Sequence, residues 1–214
     1  MLDRYALSLV AAQRPRVCFI PTASGDDAGY TLEFFKAYSS YGCDPFVLNL
    51  FSREIEDIRE FLLGMDMVYV GGGSTANLLA VWRLHGVDVA LRDAWYAGVV
   101  LSGLSAGANC WFESSTTDSY LLGRADALVD GVGFLPGSYC PHYTSEPERR
   151  PNYLSMVAAG TLPSGYACED GTAVHFVGTE VETAVSVDGD ARAYRVARVG
   201  DGVAEEPLKL VTPS

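Results

Sequence analysis

The sequence predicts an α/β fold built on a largely parallel sheet, with a strand-rich C-terminal part. Three observations predict it. Short apolar runs alternate with helical patterns over most of the chain, the signature of β-α-β units. Two of those runs pass directly into small-residue turns, Gly71-Gly72-Gly73 and Gly103-Leu104-Ser105-Ala106-Gly107, where a strand feeds a following helix. Hydrophobic residues make up 49% of the 214 and charged ones 20%, enough apolar side chain for a sizeable core and too much for a disordered chain. The length suits a single domain spanning 1–214.

Taken in order, Arg16 to Thr22 reads as the first strand, and polar residues Ser24 to Asp27 lead into an amphipathic helix from Gly29 to Tyr41, stopped by Gly42. Phe46 to Leu50 is the second strand. Ser52 is placed to cap a helix ending near Gly64, with Glu54, Glu56 and Asp57 in its first turns, where the dipole favours acids. Met67 to Val70 is a buried strand that runs into the triple glycine; Ser74 caps a helix to His85, and another covers Val87 to Tyr96. Val99 to Ser102 is the strand before the second small-residue turn. Beyond residue 113 the pattern loosens into turns as far as about 150, and Pro151 then opens a helix to Ala159. The tail reads as strands at Tyr166–Cys168, Thr172–Val177, Thr183–Val187 and Tyr194–Val199, separated by turns such as Asp188-Gly189.

Charge excludes one class of partner. With 27 acids against 15 bases the net charge is −12, and clustered Lys/Arg of the kind that holds a nucleic acid backbone is missing. No window reaches the roughly 18–20 apolar residues of a membrane span, and the first residues carry no secretory leader pattern. Five scattered cysteines without a Cys-x-x-Cys pair point to reduced thiols and a cytoplasmic location. The three histidines lie far apart and no His-Glu-x-x-His occurs, so no metal is expected, and the serine chemistry argued next needs no cofactor.

The residues that carry chemistry centre on Gly103-Leu104-Ser105-Ala106-Gly107. A Gly-x-Ser-x-Gly turn between strand and helix projects a hydroxyl away from the sheet and leaves nearby backbone amides, notably that of Ala106, for an oxyanion. The bland alternative is a glycine-bracketed turn with a capping serine. A nucleophilic serine needs a base. Lys36 and Lys209 are the only lysines and neither follows Ser-x-x-Lys; His85 reads as a cation at a helix C-terminus and His175 as a sheet residue. His142, on a segment bounded by Pro136 and Pro141, is the preferred base. Its orienting acid is open among Asp170 and Glu169, at a strand end, and Asp118 and Glu113, after the elbow. Gly71-Gly72-Gly73 matches no phosphate-loop pattern, but bare backbone there can approach a ligand and supply a second oxyanion donor. Arg149 and Arg150 either pair with Glu146 and Glu148 or clamp a substrate carboxylate.

Together Val70-Gly-Gly-Gly-Ser-Thr75, the extended elbow Gly103-Leu-Ser-Ala-Gly-Ala-Asn109 and Pro141-His142-Tyr143 resemble peptidase family S51, the group of peptidase E (α-aspartyl dipeptidase) and cyanophycinase. The resemblance runs from about residue 15 to 190. It implies a sheet sandwiched by helices, like that of class I glutamine amidotransferases, with serine in place of their cysteine. It implies Ser105 as nucleophile, His142 as base, and oxyanion donation from the Gly73 and Ala106 amides. The third member it implies is Asp170, with Glu169 adjacent and Asp118 a further candidate. Substrate contacts fall on Arg149, which would hold an aspartyl side chain, then Arg150, Gly72 and Asn109. Leu104 stands where the family often has tryptophan, and the segment from His142 to Arg149 is shorter than in peptidase E. The activity so implied is a serine exopeptidase acting on dipeptides or short peptides with N-terminal aspartate. An esterase or amidase using the same serine, a catalytically silent small-molecule-binding protein on the same scaffold, and a homo-oligomer all stay open.

Overall fold

A computed structural model describes residues 1–121, 123–200 and 202–212. The chain packs into two compact units, one of Asp3–Ala108 and one of Asn109–Ser214 together with Met1–Leu2. Both are mixed α/β structures with parallel strand pairs and flanking helices, as the sequence predicts, and the C-terminal part is rich in strands.

The first unit contains α1 (Leu2–Ser8), β1 (Arg16–Ile20), α2 (Ala28–Ser40), β2 (Asp44–Val47), α3 (Ile58–Leu63), β3 (Met67–Val70), α4 (Thr75–His85), α5 (Val87–Tyr96) and β4 (Val100–Gly103). Its four strands form a wholly parallel sheet in the order β2-β1-β3-β4. Side chains end-cap three helices: Asp27 accepts from Tyr30 N at 2.6 Å, Asp57 from Glu60 N at 2.8 Å and Ser74 from Asn77 N at 3.3 Å. The Asp57 cap corrects one expectation. The helix does not begin at Ser52 but at Ile58, because Arg53 turns its guanidinium onto the Ile55 and Glu56 carbonyls and holds that stretch as a loop. Val17, Phe19, Phe34, Tyr38 and Met67 form a core cluster between β1, β3 and α2, with Phe19 stacked on Phe34 at 4.8 Å. Burying each such side chain contributes about 1.5–3 kcal/mol.

The second unit holds β5 (Phe112–Thr117), β6 (Asp126–Leu128), β7 (Leu135–Cys140), α6 (Arg149–Ala159), β8 (Gly165–Cys168), β9 (Thr172–Val177), β10 (Glu180–Ser186), β11 (Ala193–Val199), β12 (Gly202–Pro207) and β13 (Leu210–Val211). A six-stranded sheet runs β12-β11-β8-β7-β5-β6, parallel from β5 through β7 to β8 and antiparallel elsewhere; β13-β10-β9 form a second sheet. The stretch expected to be turns beyond residue 113 therefore contains strands. β5 reads Phe-Glu-Ser-Ser-Thr-Thr, and Ser115 and Thr116 are fully buried because β6 and β7 bond its backbone on both sides. Tertiary pairing, rather than apolar periodicity, makes it a strand.

Candidate active site

In the first unit the parallel pairing of Val70 with Gly103 brings the ends of β3 and β4 side by side, so their small-residue turns are neighbours. Such C-terminal strand ends are where open α/β sheets bind ligands. Ser105 follows β4 with φ 54°, a left-handed conformation that costs a non-glycine residue energy and is held by its surroundings. Leu104 N donates to Val70 O at 3.1 Å, Gly107 N to Leu104 O at 2.9 Å and Ala108 N to Ser105 O at 2.9 Å. Gly107 lies so close to the Val70 carbonyl that a Cβ there would overlap it, and a Cβ on Gly103 would overlap the Gly107 carbonyl. The glycines of the elbow are thus dictated by contact between two strand ends and the turn itself. Ser105 is half-buried, while Leu104 is exposed.

The triple glycine closes over the same place. Gly73 has φ 137° and lies tight against the Ala23 carbonyl, which also accepts from Ser74 N at 2.8 Å. Only glycine fits there. A Cβ added to Gly72 would stand 3.4 Å from the Ser105 Cβ, which sets this backbone against the candidate nucleophile. Gly72 N donates to the Tyr30 hydroxyl at 3.4 Å. Tyr30 was not among the residues singled out from sequence, where it reads only as a helix residue.

In the second unit β7 and β8 are parallel neighbours, with Cys140 opposite Ala167, so the segments after them emerge together. His142 follows β7 with φ 53°, and Asp170 follows β8. Their side chains meet: His142 Nδ1 is 2.8 Å from Asp170 Oδ1. An Nδ1–H donated to that carboxylate leaves Nε2 as the proton-accepting nitrogen, the tautomer a general base requires.

The other acids do something else. Glu169 Oε2 accepts from Arg192 N at 2.8 Å and Oε1 from the Tyr194 hydroxyl at 3.3 Å, while its carbonyl accepts from the Thr172 hydroxyl at 2.7 Å. It braces the turn that presents Asp170 and does not take the imidazole. Asp118 Oδ1 lies 3.5 Å from Arg149 Nη2, and Glu113 accepts from Gly137 N at 2.9 Å.

Arg149 is buried, with Nε 2.5 Å from Glu146 Oε2, and its Nη1 is enclosed without a hydrogen-bond partner among the described residues. Arg150 pairs with Glu205 at 2.7 Å and lies over the Tyr143 ring. Asn109, expected to touch substrate, is buried and donates Nδ2 to the Thr116 carbonyl at 3.0 Å, so it braces β5 instead. Arg192 and Tyr194, which hold Glu169, were missed from sequence; only the pairing of β11 with β8 reveals them. His85 ends α4, where a cation suits the dipole, and His175 sits within β9, its pKa lowered by burial. Among the described residues, no group of three or more His, Cys, Asp or Glu could hold a metal ion.

The model of Peptidase family S51 matches residues 1–184. The chain belongs to peptidase family S51. It is therefore a serine-type peptidase. This S51 peptidase is 45% identical over 209 residues to the uncharacterized peptidase YgaJ of Bacillus subtilis (strain 168), covering 98% of this chain and 90% of that one. It is 28% identical over 142 residues to peptidase E of Streptomyces coelicolor, covering 65% of this chain and 57% of the relative. Among solved structures, a peptidase from an acI-B1 Actinobacterium superposes with a TM-score of 0.70 at 19% identity, over 98% of this chain and 88% of that one, a likeness of fold. No helix among the described residues is long and apolar enough to cross a membrane.

Proposed function

We propose that this S51 peptidase is a serine exopeptidase that hydrolyses dipeptides and short peptides through Ser105, His142 and Asp170. Ser105 Oγ attacks the scissile carbonyl while His142 takes its proton; His142 then returns the proton to the leaving amine, and water repeats the cycle on the acyl-enzyme. Asp170 fixes the imidazole tautomer and stabilises the imidazolium. The Gly73 and Ala106 amides receive the oxyanion, and losing one such donor costs roughly 3–4 kcal/mol of barrier. The observation that supports this most is the strained Ser105 backbone, φ 54°, imposed by the elbow at the end of β4. Strain of that kind is retained where the surroundings enforce it for use.

N-terminal aspartate is the substrate feature that Arg149 favours. Its enclosed Nη1 has no hydrogen-bond partner among the described residues, and a buried donor of that kind suits a ligand oxygen. The five cysteines are buried thiols outside any disulfide, which suits a reducing compartment such as the cytoplasm.

The test is hydrolysis of Asp-Leu, Ala-Leu and Leu-Leu by the wild type, Ser105→Ala and Arg149→Met. Wild-type cleavage led by Asp-Leu, loss of turnover by at least about 10³-fold in Ser105→Ala with the circular dichroism spectrum unchanged, and loss of the Asp-Leu preference in Arg149→Met are expected. Full activity in Ser105→Ala would remove the mechanism. Equal cleavage of all three peptides by wild type and Arg149→Met would remove the aspartate preference alone.

A further inference from the structure

The triple glycine is anchored by a side chain from another element. Tyr30 lies in the first turn of α2, its backbone N–H capped by Asp27. Its ring packs edge-on against Phe19 with centroids 4.9 Å apart, and it stands so close to Gly71 that a Cβ there would meet Tyr30 Cε1. Its hydroxyl accepts the Gly72 N–H at 3.4 Å. The Tyr69 phenol on β3, held protonated first by burial and then by its Tyr30 neighbour, stands beside that hydroxyl. Tyr30 therefore packs against the first glycine and bonds the amide of the second, which precedes by one residue the amide assigned to the oxyanion and lies close to Ser105.

We propose that Tyr30 is a positioning residue for catalysis: by tying down the Gly72 amide, its hydroxyl sets where the next amide, that of Gly73, points toward the developing oxyanion. The proposal rests on the Ser105 mechanism above. Glycines at 71 and 73 are forced by the close approach of the Tyr30 and Phe19 rings and of the Ala23 carbonyl, which leaves the run without side chains of its own to fix its path. A triple-glycine backbone has many accessible conformations, and a displacement of about 1 Å at a catalytic donor costs up to roughly 100-fold. Tyr30 contributes no atom to the reaction; it restricts the segment that does.

Tyr30→Phe removes the hydroxyl and keeps the ring, so packing against Phe19 and Gly71 survives. Three quantities are measured on wild type and Tyr30→Phe: kcat and KM for Ala-Leu; the affinity for alaninal, the aldehyde of the acyl residue of Ala-Leu; and the Kd of Ala-Leu itself in a Ser105→Ala background, with and without Tyr30→Phe. The aldehyde reports the oxyanion site because Ser105 Oγ adds to its carbonyl carbon to give a hemiacetal, the hydroxyl proton ending on the former carbonyl oxygen. Expected are a roughly 10- to 100-fold fall in kcat, a parallel fall in aldehyde affinity, and an unchanged Kd for the unreacted peptide. A thermal midpoint within a few degrees of wild type separates this from misfolding. Unchanged kcat and aldehyde affinity in Tyr30→Phe, or an equal loss in the Kd of the unreacted peptide, would overturn the proposal. The serine mechanism fails by a different sign: the aldehyde binds Ser105→Ala as tightly as wild type.

Discussion

At the scale of single residues, the division of labour between two adjacent carboxylates is the sharpest consequence of the structure. Asp170 meets His142 Nδ1 at 2.8 Å, whereas Glu169 accepts from Arg192 N and Tyr194 and keeps the intervening turn in place. Sequence left these two acids and Asp118 as alternatives, since an acid-rich chain offers a carboxylate near almost any histidine. Their roles separate only through β11, whose antiparallel pairing with β8 delivers Arg192 and Tyr194 to Glu169. Replacing Asp170 with Asn is expected to lower kcat by roughly 10²- to 10⁴-fold, through the wrong imidazole tautomer, with little change in stability. Glu169→Ala is expected to lower stability by about 1 kcal/mol, as half-buried donors lose their acceptor, while kcat falls less than about tenfold. Steady-state kinetics and urea unfolding on the two variants distinguish these outcomes; the reverse pattern would make Glu169 the orienting acid.

At the scale of elements, legibility followed the source of each element's stability. Helices α4 and α5 were readable to the residue, because Ser74 and Gly86 mark their boundaries and the apolar spacing lies within the segment itself. The elbow was readable because its glycines are demanded by backbone contact, a constraint that leaves a direct mark in sequence. β5 was not readable: its Ser and Thr side chains carry no apolar signal, and its strand character comes from pairing with β6 and β7, outside the segment itself. The start of α3 was misplaced because Ser52 and Asp57 are both good caps, and only the Arg53 contacts to the Ile55 and Glu56 carbonyls decide between them. Asn109 was misread for a similar reason, since an amide beside an elbow looks the same whether it faces a ligand or bonds a buried strand.

At the scale of the whole molecule, family and fold class were legible because both rest on patterns spread over most of the chain, while the support of the site depended on long-range partners. The five cysteines give a property of the entire fold. Burial raises the pKa of each, to about 12 for Cys140. Because the folded values exceed the usual 9.0, the unfolded chain releases these protons first as pH rises. The stabilisation is complete below about pH 9 and is lost progressively above it, toward pH 12. Urea midpoints should hold steady from pH 7 to 8.5 and fall above pH 9, and the native protein at pH 8 should leave a thiol reagent essentially unreacted until denaturant is added. A flat midpoint to pH 11, or rapid labelling of the native chain, would contradict that account. The central claim, that Ser105 is a nucleophile activated by His142, is tested most directly by labelling with a fluorophosphonate, in which Ser105 Oγ displaces fluoride at phosphorus. One adduct per chain, located by mass spectrometry on the peptide containing Ser105 and formed at least about 100-fold more slowly in His142→Ala, is the expected result. Labelling at another serine, or at the same rate without the imidazole, would contradict it.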